Sequence, residues 1–265
     1  MKKRQQGVAL IAAAALLAAA MALLVFGINA DIKRMIMQST EGDRVKVAQA
    51  ADEIRDWYER NAWTIEQTAD IPDLSGINPY NTAGVTVAAS KQLEKNGIKY
   101  HVLAAWVPMS GVTGTGLNAD TGVFAEGTTA TGAAAKLNYA LVSGYEIQSA
   151  KMRATRENMQ RIASSLENWA SARQQYDADG KSDTNWLRRA VCGKDDGAIP
   201  CYDVPTKIED TAIGTLAGVS SLDFISGWAQ PIYAENVQAA SGPYRLSLLT
   251  ATPWGVDFVV EALQQ

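Results

Sequence analysis

Two cysteines, one histidine and a few acidic clusters are the residues of this 265-residue chain whose types could support chemistry. Cys192 and Cys201 stand with eight residues between them in a segment holding Gly193, Gly197 and Pro200. A close pair of this kind forms a disulfide in an oxidising compartment. Closing so short a loop stabilises a fold by about 2–3 kcal/mol in the chain-entropy model. Zinc is the rival reading, but His101 is far along the sequence and two further ligands are wanting. Asp177, Asp179 and Asp183 surround Gly180 as in a calcium loop, yet the glycine comes too early for one, and a solvated loop is the better reading. Asp195 and Asp196 read as surface residues. His101, between Tyr100 and Val102 in a strand-like run, reads as a packed or surface residue, since no partner motif accompanies it. No Gly-x-Ser-x-Gly, His-Glu-x-x-His or phosphate-binding loop is present. The expectation is a protein that is not an enzyme and uses no cofactor or metal.

The elements that must position these residues begin with an apolar stretch. From Val8 to Ile28 there is no charged side chain, and Lys2, Lys3 and Arg4 precede it. Twenty-one residues at about 1.5 Å each span a bilayer's hydrocarbon core. The basic flank stays in the cytoplasm by the positive-inside rule, so everything from Asn29 onward is expected outside. A cleaved signal peptide is the alternative; its apolar core is usually shorter, and the exit at Ile28 to Ala30 places a bulky residue where a small one is preferred. Among the basic residues, 24 in all, Lys2, Lys3 and Arg4 precede the stretch, which leaves 21 bases against 28 acids beyond it, a net of −7. Such a balance disfavours nucleic-acid binding by bulk charge. Nearly half the chain is apolar, which excludes a disordered class.

The run Lys2, Lys3, Arg4, Gln5, Gln6, Gly7, followed at once by Val8, resembles the leader of type IV pilins and type II secretion pseudopilins. In that family a prepilin peptidase cuts after the glycine and the new N-terminus is methylated, so the resemblance implies processing between Gly7 and Val8. The family has Phe first and Glu fifth in the mature chain; here Val8 and Ala12 hold those places. The family Glu pairs with a neighbour's N-terminal amine during assembly, and its absence resembles the minor subunit at a pseudopilus tip. Trp228, Ala229, Gln230, Pro231, Ile232 and Tyr233 resemble the Trp-Gly-x-Pro segment that leads into the pseudopilin sheet, with Ala229 in place of Gly. An ordinary turn covering a core explains the same residues.

Beyond the apolar stretch, Val47, Ala51, Ile54 and Tyr58 recur at helical spacing. The expected architecture is therefore α+β: a membrane-spanning helix over 8–28 continuing into an exported pilin-like domain of helix and antiparallel sheet, with Gly42 a weak point. Asn96-Gly97 predicts a hairpin turn before a strand over Ile98 to Val107. The Gly- and Thr-rich residues from Ser110 to Ala135 predict a flexible loop or edge. A second helix is expected from about Gly144 to Tyr176, with Met152, Met159, Ile162, Leu166 and Trp169 on one face. A strand is expected at Tyr244 to Thr250. The stretches around Ile54-Arg55 and Leu166-Glu167, each followed later by a Gly-started strand, suggest two related helix-sheet units: residues 1–7 as leader, 8–28 as membrane helix, 29–143 and 144–265 as the two units. The function expected is a structural subunit, a minor pilin or pseudopilin of a type IV, conjugative or type II secretion filament. Its partners are other such subunits, prepilin peptidase and the bacterial inner membrane, with the bulk of the chain periplasmic, or extracellular in a pilus. A membrane-anchored periplasmic binding or adhesion protein is the alternative.

Overall fold

The computed structural model describes residues 41–176, 184–192, 205–235 and 242–264. The first helix, α1, covers residues 41–65. The strands that follow are β1 (Thr86–Ala89), β2 (Leu93–Lys95), β3 (Ile98–Tyr100), β4 (Val102–Trp106), β5 (Val112–Thr113), β6 (Gly116–Leu117), β7 (Phe124–Ala125), β8 (Thr128–Thr129) and β9 (Tyr139–Ser143). Then come α2 (Gly144–Tyr176), α3 (Trp186–Cys192), β10 (Thr206–Lys207), α4 (Ile213–Ala217), β11 (Tyr233–Glu235), β12 (Tyr244–Ala251) and β13 (Asp257–Gln264). One sheet has the order β1-β4-β9 and the other β10-β11-β12-β13, with every neighbouring pair antiparallel.

The membrane-spanning helix expected to run into this domain requires a correction. Among the described residues no helix is long and apolar enough to cross a membrane, and the segment 8–28 lies outside them. The physical reason is charge. The helix α1 carries Asp43, Arg44, Lys46, Asp52, Glu53, Arg55, Asp56, Glu59 and Arg60, and α2 carries Lys151, Arg153, Arg156, Glu157, Arg161 and Glu167, so either would bring several ions into hydrocarbon at about 2.5–3.5 kcal/mol each. The architecture is α+β, with helices packed on antiparallel sheets. Gly42 is helical, as the second residue of α1 as described.

The apolar stripe of α1 is buried against the first sheet. Ala50, Ile54, Trp57, Tyr58 and Ala62 pack with Ala89, Leu103, Ala105 and Val142. Val47, Ile54 and Tyr58 are buried as their spacing predicts, whereas Ala51 is only half-buried, because Ala50 and the large ring of Trp57 take the centre of the face. A second core lies along the later half of α2, where Met159, Ile162, Ala163, Leu166 and Ala170 meet Ala234, Leu246, Leu248 and Ala262 of the second sheet. Leu187, Ala190 and Val191 of α3 close its end. Strict alternation along β12 sends Tyr244, Leu246, Leu248 and Thr250 inward. Ile147, in the first turn of α2, belongs to the first core, so this one helix joins both.

The predicted strand from Ile98 to Val107 divides at His101. Its first part pairs with β2 through Asn96 and Gly97, whose φ values of 54° and 75° are those of a primed hairpin turn. Its second part is the centre of the first sheet. The Gly- and Thr-rich stretch expected to be a flexible loop or edge is an arm of two short ladders, β5 with β8 and β6 with β7. Phe124 holds the arm down, edge-on to Trp106 with centroids 5.3 Å apart and stacked on Tyr139 at 4.4 Å.

Candidate functional site

His101 sits where the backbone passes from β3 to β4, and its ring is fully buried. Its Nε2 faces the Asp70 carbonyl at 3.0 Å, and its Nδ1 faces Glu66 Oε1 at 2.9 Å. A carbonyl can only accept, so Nε2 carries a hydrogen. Glu66, just past the end of α1, is surrounded by donors: Oε1 accepts the His101 N–H at 3.0 Å and the Tyr58 hydroxyl, while Oε2 accepts Gln92 Nε2 at 3.0 Å. One proton lies between His101 Nδ1 and Glu66 Oε1, which completes the ring of hydrogen bonds around this buried carboxyl.

The cluster extends into a polar thread through the core. Tyr58 reaches it from the buried face of α1, and its phenol is pushed up from the ordinary tyrosine range, first by burial and then by the charge and hydrogen bond of Glu66. Gln148 of α2 donates to the Ala62 carbonyl at 3.0 Å and accepts from Trp228 Nε1 at 2.7 Å. Gly144, the first residue of α2, has its N–H on the His101 carbonyl at 2.9 Å; a Cβ there would collide with that carbonyl and with the Tyr58 hydroxyl. No side chain of the Tyr58, Glu66 and His101 group reaches solvent, so a diffusing substrate has no access to it. The arrangement is a clamp that ties the end of α1 to the first sheet and to α2.

Two grooves open on the surface. One, of about 390 Å³, lies beside α1 and is lined by Trp57, Asn61, Ile65, Thr68 and Asp73 among others. The other, of about 600 Å³ and very open, lies between α2 and the turn after α4, with Arg161 and Asp223 joined at 2.6 Å along it. Both are shallow and open to solvent. Among the described residues no group of His, Cys, Asp or Glu could hold a metal ion.

Of the residues singled out by sequence, Gly7, Val8, Cys201, Asp177, Asp179, Gly180, Asp183, Asp195 and Asp196 lie outside the described residues. Cys192 ends α3 and is not free. His101 is a packed residue, one of the two readings given for it, and it is also the centre of the clamp. Glu66, Gln92 and Gln148 carried no signal in sequence; their partners lie 35, 26 and 86 residues away. Trp228 does cover a core, and Ala229 after it takes a positive φ of 58°, the conformation that Gly adopts freely. Comparison with protein-family models, with curated proteins and with solved structures finds no match.

Proposed function

We propose that this chain is a pilin-like structural subunit, a minor pilin or pseudopilin of an envelope filament. The observation that supports this most is the order of its parts. A basic leader ending at Gly7 is followed by an uncharged segment, and then by a helix whose apolar face lies on an antiparallel sheet. The closed polar cluster and shallow grooves agree with a part whose work is assembly. Cys192 and Cys201 form its disulfide in this reading, tethering the end of α3 on the exported side.

In this reading prepilin peptidase removes residues 1–7, and Val8 becomes the methylated N-terminus. Mass spectrometry of the mature protein made in its own host is the test. A chain beginning at Val8, and a Gly7→Leu chain that keeps its leader, are the expected results. A mature chain beginning at Asp31 would sink the proposal and leave the binding or adhesion reading in its place.

A further inference from the structure

The outer edge of β9 carries a strand's unpaired hydrogen-bonding groups. The Gly144 N–H bonds to the His101 carbonyl at 2.9 Å, and the Val107 N–H to the Asn138 carbonyl at 3.4 Å. Those two bonds fix the alternation: the even-numbered residues of the strand face β4, while Tyr139, Leu141 and Ser143 turn their N–H and C=O groups away from it. No backbone group among the described residues pairs with that side, since β9 ends its sheet. Tyr139 is 39% exposed and Leu141 44%.

The edges at β13 and β1 are guarded. On β13 the charged Asp257 and Glu261 line the strand, and Glu167 Oε1 takes the Leu263 N–H at 2.9 Å. β1 is short and lies against β6 of the arm. Charges, short length and covering segments are the devices by which sheets avoid edge pairing. β9 has no charge to guard it, and no described segment pairs with its outer side: Tyr-Ala-Leu-Val-Ser contains no charge, no proline and no glycine. Groups of this kind ask for an extended backbone, not for a small ligand.

The flanking charges say which backbone. Lys136 and Glu146 are both exposed, and each lies five residues from Leu141. Neither has an ion-pair partner among the described residues. We propose that β9 pairs with β9 of a second copy of this chain, antiparallel about a two-fold axis at Leu141. In that register Leu141 faces its own counterpart, Tyr139 faces Ser143, and the Lys136 end of each copy meets the Glu146 end of the other. Each outward N–H meets a carbonyl, and the two three-stranded sheets become one. The uncharged strand also brings together two copies whose net charge beyond the leader is −7, at a place where they do not repel.

Cysteine crosslinking of the purified full-length chain tests the register. Opposed residues of a hydrogen-bonded antiparallel pair have Cα atoms about 5.5 Å apart, within disulfide reach. Under mild oxidation Leu141→Cys converts most of the protein to a disulfide-linked dimer, and a mixture of Tyr139→Cys with Ser143→Cys gives the mixed dimer. Val259→Cys, exposed on the guarded edge of β13, stays monomeric. Adding Lys136→Glu to Leu141→Cys lowers dimer yield several-fold, and adding Glu146→Lys as well restores it. Equal crosslinking at Leu141→Cys and Val259→Cys overturns the proposal. So does a Lys136→Glu chain that crosslinks through Leu141→Cys as fully as its parent.

Discussion

At the scale of single residues, the Tyr58, Glu66 and His101 group is where the fold has most to lose. Removing one member of this buried group leaves its hydrogen-bond partners unsatisfied, which costs about 1–3 kcal/mol. Glu66→Ala removes the acceptor of His101 Nδ1, the His101 N–H, Tyr58 and Gln92 together, so its urea midpoint should fall by that equivalent. A midpoint within experimental error of wild type is incompatible with the clamp. Tyr58 adds a dependence on pH. Its phenol titrates higher in the fold than the ordinary value of about 10, so the unfolded chain loses this proton first as pH rises. The contribution is complete below pH 10 and declines above it, by up to about 1.4 kcal/mol per pH unit. The stability difference between wild type and Tyr58→Phe, measured in urea at pH 8 and again at pH 11, should therefore shrink at the higher value. An unchanged difference would show that Tyr58 ionises equally in both states. His101 and the helical position of Tyr58 were visible in the sequence, but Glu66 was not, because its partners lie distant along the chain and no periodic pattern marks a buried acid.

Elements were legible where one local rule decides them. The helix α2 has the expected span because Met159, Ile162 and Leu166 keep a helical stripe and no proline interrupts it. The Asn96-Gly97 turn was legible because few other pairs accept positive φ twice. The arm from β5 to β8 was not, since Gly and Thr residues show no alternation and its anchor is a tertiary contact of Phe124. The turn at Trp228 stands between these cases. Its backbone is closed by the Ser226 N–H on the Gln230 carbonyl at 2.7 Å and the Ala229 N–H on the Ser226 carbonyl at 2.9 Å, which holds Ala229 in the left-handed region. An L-residue with a Cβ is strained there by about 1–2 kcal/mol, while glycine gives back part of that gain as unfolded-chain entropy. Ala229→Gly should accordingly stabilise the protein by about 1 kcal/mol, seen as a higher thermal midpoint. A lower midpoint would mean that the methyl group packs better than the backbone is strained.

At the scale of the whole molecule, the two cores share α2, its first turn in the first core and its later half in the second. The N-terminal segment, read from its leader and its lack of charge, lies outside the described residues, and its expected continuation as one membrane-spanning spine was not upheld by the charged helices that follow. The filament reading makes a quantitative demand of that segment. After cleavage Val8 carries a new amine, and burying an ammonium among apolar neighbours is costly unless an acid pairs with it. The family places Glu fifth for this purpose; here the position is Ala12, and no acid lies between Val8 and Ala30. A subunit within the shaft needs its own acid to receive the amine of a neighbour, whereas a subunit with nothing ahead of it does not. The chain should then be present in few copies and gathered at filament ends. Quantitative immunoblotting of sheared filaments, with gold labelling of their ends, measures both quantities. A copy number close to that of the main subunit, with label spread along the shaft, would remove the tip assignment even with Val8 established as the mature N-terminus.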